Sequence, residues 1–375
     1  MNIDWTIERI IKDDPGIRDF FMLKGLYDEE KKELAAGLKL KSALKFRRIE
    51  APAFLLELDA YQKSREQALR GNTPADECDF WGRIPCMVQL PVQNALDAFL
   101  AESRLPLKYD IGLVEFGKDW IDGLTAIASP PVVVGAGIEG MIRNTALSGG
   151  QYREPVTRGL NPDFAGFEDP KKIFRMLSGI PLVFVVDRQR LAGRTAPAGW
   201  ADILKDEFYK SVCYPDDGHL LDGVFLVYLY QLFGLEGVLR FGANCICGAH
   251  PSQMIKINGL DARPAVYIMP YIFAGIKTKE EGMEMVWPCE GAPVIPLVCT
   301  ARRDMSEDQK MLAEFICGAE CGEIFMHQGF FPSSDPRVSN CLPGKLWWLG
   351  FEYLYKHDVL EIIEASKKIF LEEQI

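Results

Sequence analysis

From position 80 onwards, short apolar runs alternate with stretches whose apolar residues recur every three or four positions. That is the pattern of strands followed by helices in an α/β layer structure. "FWGRIPCMVQL" (80–90) reads as a strand, and the segment after it as a helix whose first turn holds Pro91 and whose apolar positions are 95, 96, 99 and 100. "YDIGLVEF" (109–116) is a second strand, followed by a helical 119–126, and "PPVVVGAG" (130–137) is a third that stops at glycines before the helical "IEGMIRNTAL". "IPLVFVVD" (180–187) is a continuous apolar run of the kind buried on both faces. "PAGWADILKDEFYKSVCYPDDGHLLDG" (197–223) predicts a helix pinned by Trp200 and Ile203, a short strand at 211–214, a polar loop at 216–219 and the start of a long apolar helix running from 220 to 233. Another buried strand is expected within 263–276, ending at Pro270, and two shorter ones around Gly291. Ser306 with Gln309 three positions on is a capping-box pattern.

Residues 1–68 have a different texture. Thr6 is placed to cap a helix over 7–12, and three further amphipathic stretches follow, one through Phe20 and Leu23 and two within "LKLKSALKFRRI" and "PAFLLELDAYQKS". Four short helices predict a small all-α domain. Residues 69–79, within the Gly-, Pro- and Asp-rich "REQALRGNTPADECDF", read as a linker.

Composition narrows the function classes. A chain of 375 residues predicts two or three domains, at roughly 100–200 residues each. A net charge of −11 argues against nucleic acid, whose binding rests on Lys and Arg neutralising phosphates, and against membrane surfaces. No apolar run approaches the roughly 20 residues of a spanning helix, so no membrane insertion is expected. The N-terminal residues carry acids where a secretory signal carries basic residues and an apolar run, so the sequence as it stands reads as cytoplasmic; a periplasmic or extracellular chain with its signal removed is the alternative. Ten cysteines form no disulfide framework. The close pairs Cys245/Cys247 and Cys317/Cys321 lack the spacing of a structural zinc site and read as small buried hydrophobes. No P-loop, HExxH or Ser-His-Asp order is present to support a hydrolase or an NTP-dependent enzyme.

The order of these signals from about Phe80 to Val338 resembles the type II solute-binding proteins of ABC transporters, in their iron- and small-anion-binding branch. "PVQNALDAFLAES" looks like the family's first βα unit, "GAGIEGMI" like its cleft-facing strand end, and "IPLVFVVDRQRL" like its crossing strand. "PAGWADILKDEFYKSVCYPDD" looks like its Pro-x-x-Trp-x-Asp-Leu-Leu helix and following strand. "VWPCEGAPVIPLVCTARRD" and "AEFICGAECGEIFMHQGFFPSSDPRV" look like its last strand and closing helix. The resemblance implies an α/β two-lobe periplasmic-binding-protein type II fold with an extra small helical N-terminal domain. Lobe 1 would hold 80–179 and 271–375, and lobe 2 would hold 180–270. It implies no catalysis but binding of a small molecule, metal or anion by lobe closure, with an ABC permease as partner or a cytoplasmic sensing role, and a homodimer through the N-terminal helices.

In such a fold the cleft collects strand-end loops, and the candidate ligand-binding residues are Pro91, Gln93, Gly135, Gly137, Glu139, Asp216, Asp217, His219, His250, Ser252, Tyr267 and Tyr271. Gly135 and Gly137 either let a backbone approach the ligand or simply end a strand. Asp216 and Asp217 either touch ligand or cap the next helix, and Glu290 either binds or fixes a turn. The iron-binding branch implies iron as the cofactor-like cargo. Tyr267 and Tyr271 then fall where its phenolates sit, with His219 as a further metal candidate, although core packing is the other reading of both tyrosines. Two other classes remain open: an enzyme on this fold using Asp216, His219 or a cleft cysteine, and a cluster protein in which Cys245, Cys247 and Cys289 hold metal.

Overall fold

The computed structural model describes residues 2–14, 17, 21, 26–27, 37–46, 49, 51–52, 54–55, 58, 62, 78–113, 130–143, 151–216, 221–255 and 263–372. The chain divides into two compact units, Met1–Asn72 and Thr73–Ile375.

In the first unit, α1 (Ile7–Asp13) begins at Thr6, whose Oγ1 accepts the Arg9 N–H at 3.3 Å, the expected cap. With α2 (Leu40–Phe46) it buries Ile7, Ile10, Leu40 and Leu44 together with Phe21 and Phe54, whose rings lie 5.8 Å apart. The helix expected through Phe20 and Leu23 lies largely outside the described residues.

The second unit is built on one mixed sheet. In chain order its elements are β1 (Phe80–Ile84), α3 (Cys86–Ser103), β2 (Tyr109–Leu113), β3 (Val132–Ala136), α4 (Ile138–Arg143), β4 (Tyr152–Arg153), β5 (Arg175–Asp187), β6 (Val212–Pro215), α5 (Leu221–Asn244) and β7 (Cys245–Ala249). They continue with α6 (Pro251–Met254), β8 (Val266–Pro270), α7 (Tyr271–Lys277), β9 (Met283–Val286), β10 (Ala292–Arg302), α8 (Glu307–Ile316), α9 (Ala319–Gly329), β11 (Leu346–Trp347), α10 (Phe351–Lys356) and α11 (Val359–Glu372). The main strand order is β2-β1-β3-β10-β5-β8-β6-β7.

The strand β5 decides the architecture. Its first half pairs with β10, placing Gly179 opposite Pro296, and its second half pairs with β8, placing Leu182 opposite Pro270. One strand thus carries two half-sheets, β2-β1-β3-β10 and β8-β6-β7, and all thirteen of its residues are buried. The parallel strands β1, β2 and β3 of the first half, and β6, β7 and β8 of the second, both end toward the middle of β5. The Gly137 N–H donates to Pro296 O at 2.9 Å, level with Gly179, while Pro270 lies level with Leu182. Three residues along a strand span roughly 10 Å. The carboxyl ends of both half-sheets therefore face one crevice across that short stretch.

Several boundaries differ from the sequence reading. The first strand stops at Ile84, and α3 starts at Cys86, not after Leu90. Pro85 is the N-cap, and proline keeps the residue before it out of helical geometry. Pro91 therefore sits inside α3, where it forfeits one backbone hydrogen bond while Val88, Val92 and Leu96 keep the helix packed. The strand expected at 180–187 begins five residues earlier, because Arg175, polar in the sequence, is 2% exposed: its guanidinium pairs with Glu154 at 3.1 Å and donates to Gly159 O at 3.1 Å. The helix after Trp200 is two 3₁₀ turns, Asp202–Leu204 and Asp206–Phe208. The long apolar helix runs to Asn244, past a break at Gly234 (φ 63°). The segment 263–276 changes from strand to helix at Tyr271. The strand β7 and the C-terminal α10 and α11 had no counterpart in the sequence reading, and the helix expected at 119–126 lies outside the described residues.

The motif around Trp200 behaves as a pin. Its indole is fully buried 4.6 Å from the Phe184 ring on β5 and 5.2 Å from Phe225 on α5, and its Nε1 donates to Gly291 O at 3.2 Å. Glu290, expected either to bind or to fix a turn, accepts the Trp200 N–H at 3.0 Å and so holds this chain reversal in place.

Candidate functional site

The crevice is assembled from strand ends. On the first half-sheet, β1 hands over directly to α3, whose N-terminus has no side-chain cap. The Val88 and Gln89 N–H groups bond back to Pro85 O, while those of Cys86 and Met87 have no backbone or side-chain oxygen partner among the described residues. An 18-residue helix concentrates partial positive charge at such an end. The thiol of Cys86 lies there too, and desolvation pushes it up despite the Met87 N–H beside it, which works against a thiolate nucleophile.

By register, Gly82 lies opposite Val134, so the α3 start lies beside Gly137. Gly137 has φ 95°, a left-handed conformation that only glycine adopts without strain, and it turns β3 into α4 with Glu139, 9% exposed, in the first turn. A Gly137→Val variant is expected to lose about 1–3 kcal/mol in chemical denaturation, because a β-branched residue is forced into that conformation; unchanged stability would show that the turn relaxes.

Across the crevice, Asp216 closes β6 with its N–H on Ala249 O at 2.9 Å. Asp217 and His219 lie outside the described residues. His250 follows β7 and caps α6. Its Nδ1 accepts the Ser252 N–H at 3.2 Å and lies 2.7 Å from Ser252 Oγ, and its own N–H donates to Gln253 Oε1 at 3.2 Å. Both His250 and Ser252 are thus engaged in fixing a strand-to-helix junction at the crevice. Tyr271 opens α7 after the uncapped Pro270. Its ring meets Trp287 at 5.3 Å and Phe330 at 5.9 Å, both edge-on. Phe330 belongs to the opposite wall: it ends α9, which packs on α3, and a Cβ on the preceding Gly329 would come within 2.7 Å of Val88 in the first turn of α3.

The other expected residues lie elsewhere. Pro91 and Gln93 were assigned to a loop end, but the early start of α3 carries them into the helix. Gln93 is 6% exposed and faces the Tyr109 hydroxyl on β2. Gly135 is inside β3, paired with Val298, not at its end. Tyr267 and Tyr271, expected to share a strand face, separate at the strand-to-helix change. Tyr267 is buried among Val183, Val185 and Met269 with the Lys277 ammonium 5.1 Å from its ring, and burial pushes its hydroxyl up to about 12. Burial also raises Tyr271.

The three cysteines of the cluster reading do not converge. A register shift in the β6/β7 ladder sets Val212 opposite Cys245 but Cys213 opposite Cys247. A bulge of this kind reverses the alternation of side chains. Cys245 therefore packs into the main core, and Cys247 packs on the other face, while Cys289 lies beside Glu290. Sequence reasoning missed the α3 terminus, Trp287 and Phe330; the "IPC" step and the aromatics next to proline in "VWP" and "GFFP" were the available signals.

Residues 136–357 match the family model of bacterial extracellular solute-binding proteins, and the chain belongs to that family. It is a solute-binding protein of the kind that serves ABC transporters, taking up a small ligand and working with a permease. No curated protein sequence matches it. Among solved structures, the Bordetella ferric binding protein is similar over 78% of this chain and 99% of its own, at 12% identity and a TM-score of 0.58. The Trichodesmium protein IdiA (FutA), in complex with iron and citrate, is similar over 78% and 98%, at 11% identity and 0.57. The periplasmic binding protein AfuA from Actinobacillus pleuropneumoniae, with fructose-6-phosphate bound, is similar over 78% and 96%, at 15% identity and 0.50. These likenesses establish the two-lobe type II fold. Among the described residues no helix is long and apolar enough to cross a membrane.

Proposed function

We propose that the crevice binds a small anionic solute of the carboxylate or phosphate class, and that the lobe carrying β2-β1-β3-β10 and the lobe carrying β8-β6-β7 close on it by bending about β5. The stretch from Tyr271 to Val286 goes with the second, because β9 pairs with that half of β5. The observation that carries this reading is the uncapped N-terminus of α3, whose Cys86 and Met87 N–H groups sit beside Gly137 at the ends of parallel strands. Such ends bind anions through unsatisfied N–H groups and the helix dipole together. Asp216, Glu139 and the junction held by His250 and Ser252 set the polar rim, and Asp217 and His219 stay in the proposed ligand set because they follow Asp216 in the sequence. Tyr271, Trp287 and Phe330 supply apolar faces for the body of the solute. Two of the structural neighbours were solved with solutes of this kind, citrate with iron and fructose-6-phosphate.

Iron belongs to this reading as an anionic chelate, with Tyr271 as the phenol offered to it; burial raises that phenol, so it ionises only where a metal is delivered to it. Delivery to a permease outside the cytoplasm goes with the family, and cytoplasmic sensing is the alternative, separated by cell fractionation. Binding leaves the solute chemically unchanged.

The test is thermal shift with sodium citrate, ferric citrate, inorganic phosphate and fructose-6-phosphate as probes. At least one is expected to stabilise the protein, by about 2.7 kcal/mol at a hundredfold excess over Kd, and to be recovered intact. No stabilisation by any probe, or stabilisation by ferric ion that is indifferent to the accompanying anion, would overturn the anion reading.

A further inference from the structure

Beneath the crevice, on the other side of lobe 2 from the main core, a row of side chains runs level across the sheet: Met285, Val185, Tyr267, Cys213 and Cys247, on β9, β5, β8, β6 and β7. In a regular strand Cys247 would share a face with Cys245. The register shift between Val212 and Cys213 instead turns Cys247 onto the face of Cys213 and sets the two residues opposite each other on neighbouring parallel strands. Both side chains pack in the same small cluster on that face of the sheet. Neighbouring strands lie about 4.7–4.9 Å apart, inside the roughly 4.4–6.8 Å between Cα atoms that a disulfide requires. Cys213 is fully buried, whereas Cys247 is partly exposed. The pair therefore joins one partly exposed cysteine to one buried cysteine on the neighbouring strand.

We propose that Cys213 and Cys247 are a redox-active dithiol that closes to a disulfide across β6 and β7 by exchange with a low-molecular-weight disulfide. The Cys247 thiolate attacks one sulfur of the external disulfide, whose S–S bond breaks and releases one thiolate. Cys213 then loses its proton and attacks the Cys247 sulfur of the mixed disulfide, releasing the second thiolate, which is protonated. Two protein thiols are oxidised by two electrons, and one external disulfide is reduced to two thiols. The polarity of the pair agrees with this order: the mutual influence of the two neighbouring thiols lowers Cys247 and raises Cys213, so the more exposed partner is the one that ionises. Cys299 and Cys317, which also influence one another, are both buried and so lack the access that Cys247 has. The strands that would be joined end at Asp216 and His250, so the bond ties two crevice-forming termini together.

The experiment equilibrates the folded, full-length protein with oxidised and reduced glutathione, traps free thiols by alkylation in denaturant and maps peptides by mass spectrometry. The expected product is a peptide pair joined through Cys213 and Cys247, which becomes the dominant form as the buffer turns oxidising and disappears with dithiothreitol. In Cys213→Ser the exchange is expected to stop at a glutathione adduct on Cys247; in Cys247→Ser neither a crosslink nor an adduct on Cys213 is expected. Two free thiols at 213 and 247 in oxidising buffer would overturn the proposal. So would pairing of either with another cysteine, or adducts confined to the exposed Cys86, Cys289 and Cys341. Because the wild-type map alone decides between these outcomes, a variant that fails to fold does not remove the test.

Discussion

Replacement of Trp200 by Ala is expected to destabilise the protein by about 3–5 kcal/mol, the range for emptying a buried aromatic site. The indole is wedged between Phe184 on the crossing strand and Phe225 on the long helix, so its loss leaves a cavity where the wall of lobe 2 meets the strand that joins the lobes. Its Nε1–H also reaches Gly291 O, which heads β10, the other long strand, so two long-range connections fail together. The pin is set from outside by the Glu290 carboxylate on the Trp200 N–H, and that contact cannot draw the neighbouring rings inward to refill the void. At roughly 2–4 °C per kcal/mol the melting temperature should fall by on the order of 10 °C. Trp200→Phe, which keeps most of the volume and loses one hydrogen bond, should recover most of this. Calorimetry that found the two variants equal would show that the hydrogen bond to Gly291, not the packing, holds the motif.

The second large effect is expected at Asp335, six residues beyond the end of α9. Its side chain is 1% exposed and accepts Arg158 Nη1 at 2.9 Å, Arg337 Nη2 at 2.8 Å and Arg337 Nε at 2.9 Å. The backbone around it is tied into the same network, with Asn161 Nδ2 donating to Val338 O at 2.8 Å and the Asn161 N–H donating to Ser334 O at 2.7 Å. Asp335→Ala leaves two guanidinium groups facing a gap. Breaking a buried pair costs about 3–5 kcal/mol, and the lower end applies here because both arginines reach solvent. Burial works to raise the Asp335 carboxyl, but the hydrogen bonds of Arg337 and the charges of Arg337 and Arg158 outweigh it, so its pKa in the folded protein is lowered. This contribution is present above the unfolded value, about 3.9, and is lost as pH falls through the lower folded value. Acid titration of stability should therefore be less steep below pH about 4 in the variant than in the wild type; equal slopes would remove Asp335 from the account.

The alternation of strands and helices was legible because the apolar runs are long and end at glycine or proline. Trp200 and the buried β5 could be read for that reason. What failed depended on partners far away in the chain. Arg175 lies outside the apolar run that marks the strand, and it is buried there only because Glu154 and the 158–159 carbonyls satisfy its guanidinium. The start of α3 is hidden in the sequence because "IPCMVQL" suits both a strand and a helix, so Pro91 competes with Pro85 as the helix start. Tyr271 was read onto a strand because Pro270 ends β8 and begins α7 without a polar cap to announce the change. The separation of Cys245 from Cys247 rests on a bulge, and a bulge leaves no mark in the alternation of a strand only five residues long. Of the crevice, Gly137, Glu139, Asp216, His250 and Tyr271 could be reached from strand ends alone. Trp287 and Phe330 enter it from segments that only the fold brings together.

The aromatic contact across the crevice is where binding and structure meet most directly. Calorimetric titration of the wild type, Tyr271→Ala and Phe330→Ala with whichever anionic probe stabilises the protein best would decide the central claim. The account predicts that both variants remain folded and that each binds at least about tenfold more weakly, a loss of roughly 1.4 kcal/mol. Folded variants that bind the same probe with wild-type affinity would place the solute somewhere other than the crevice between the two half-sheets.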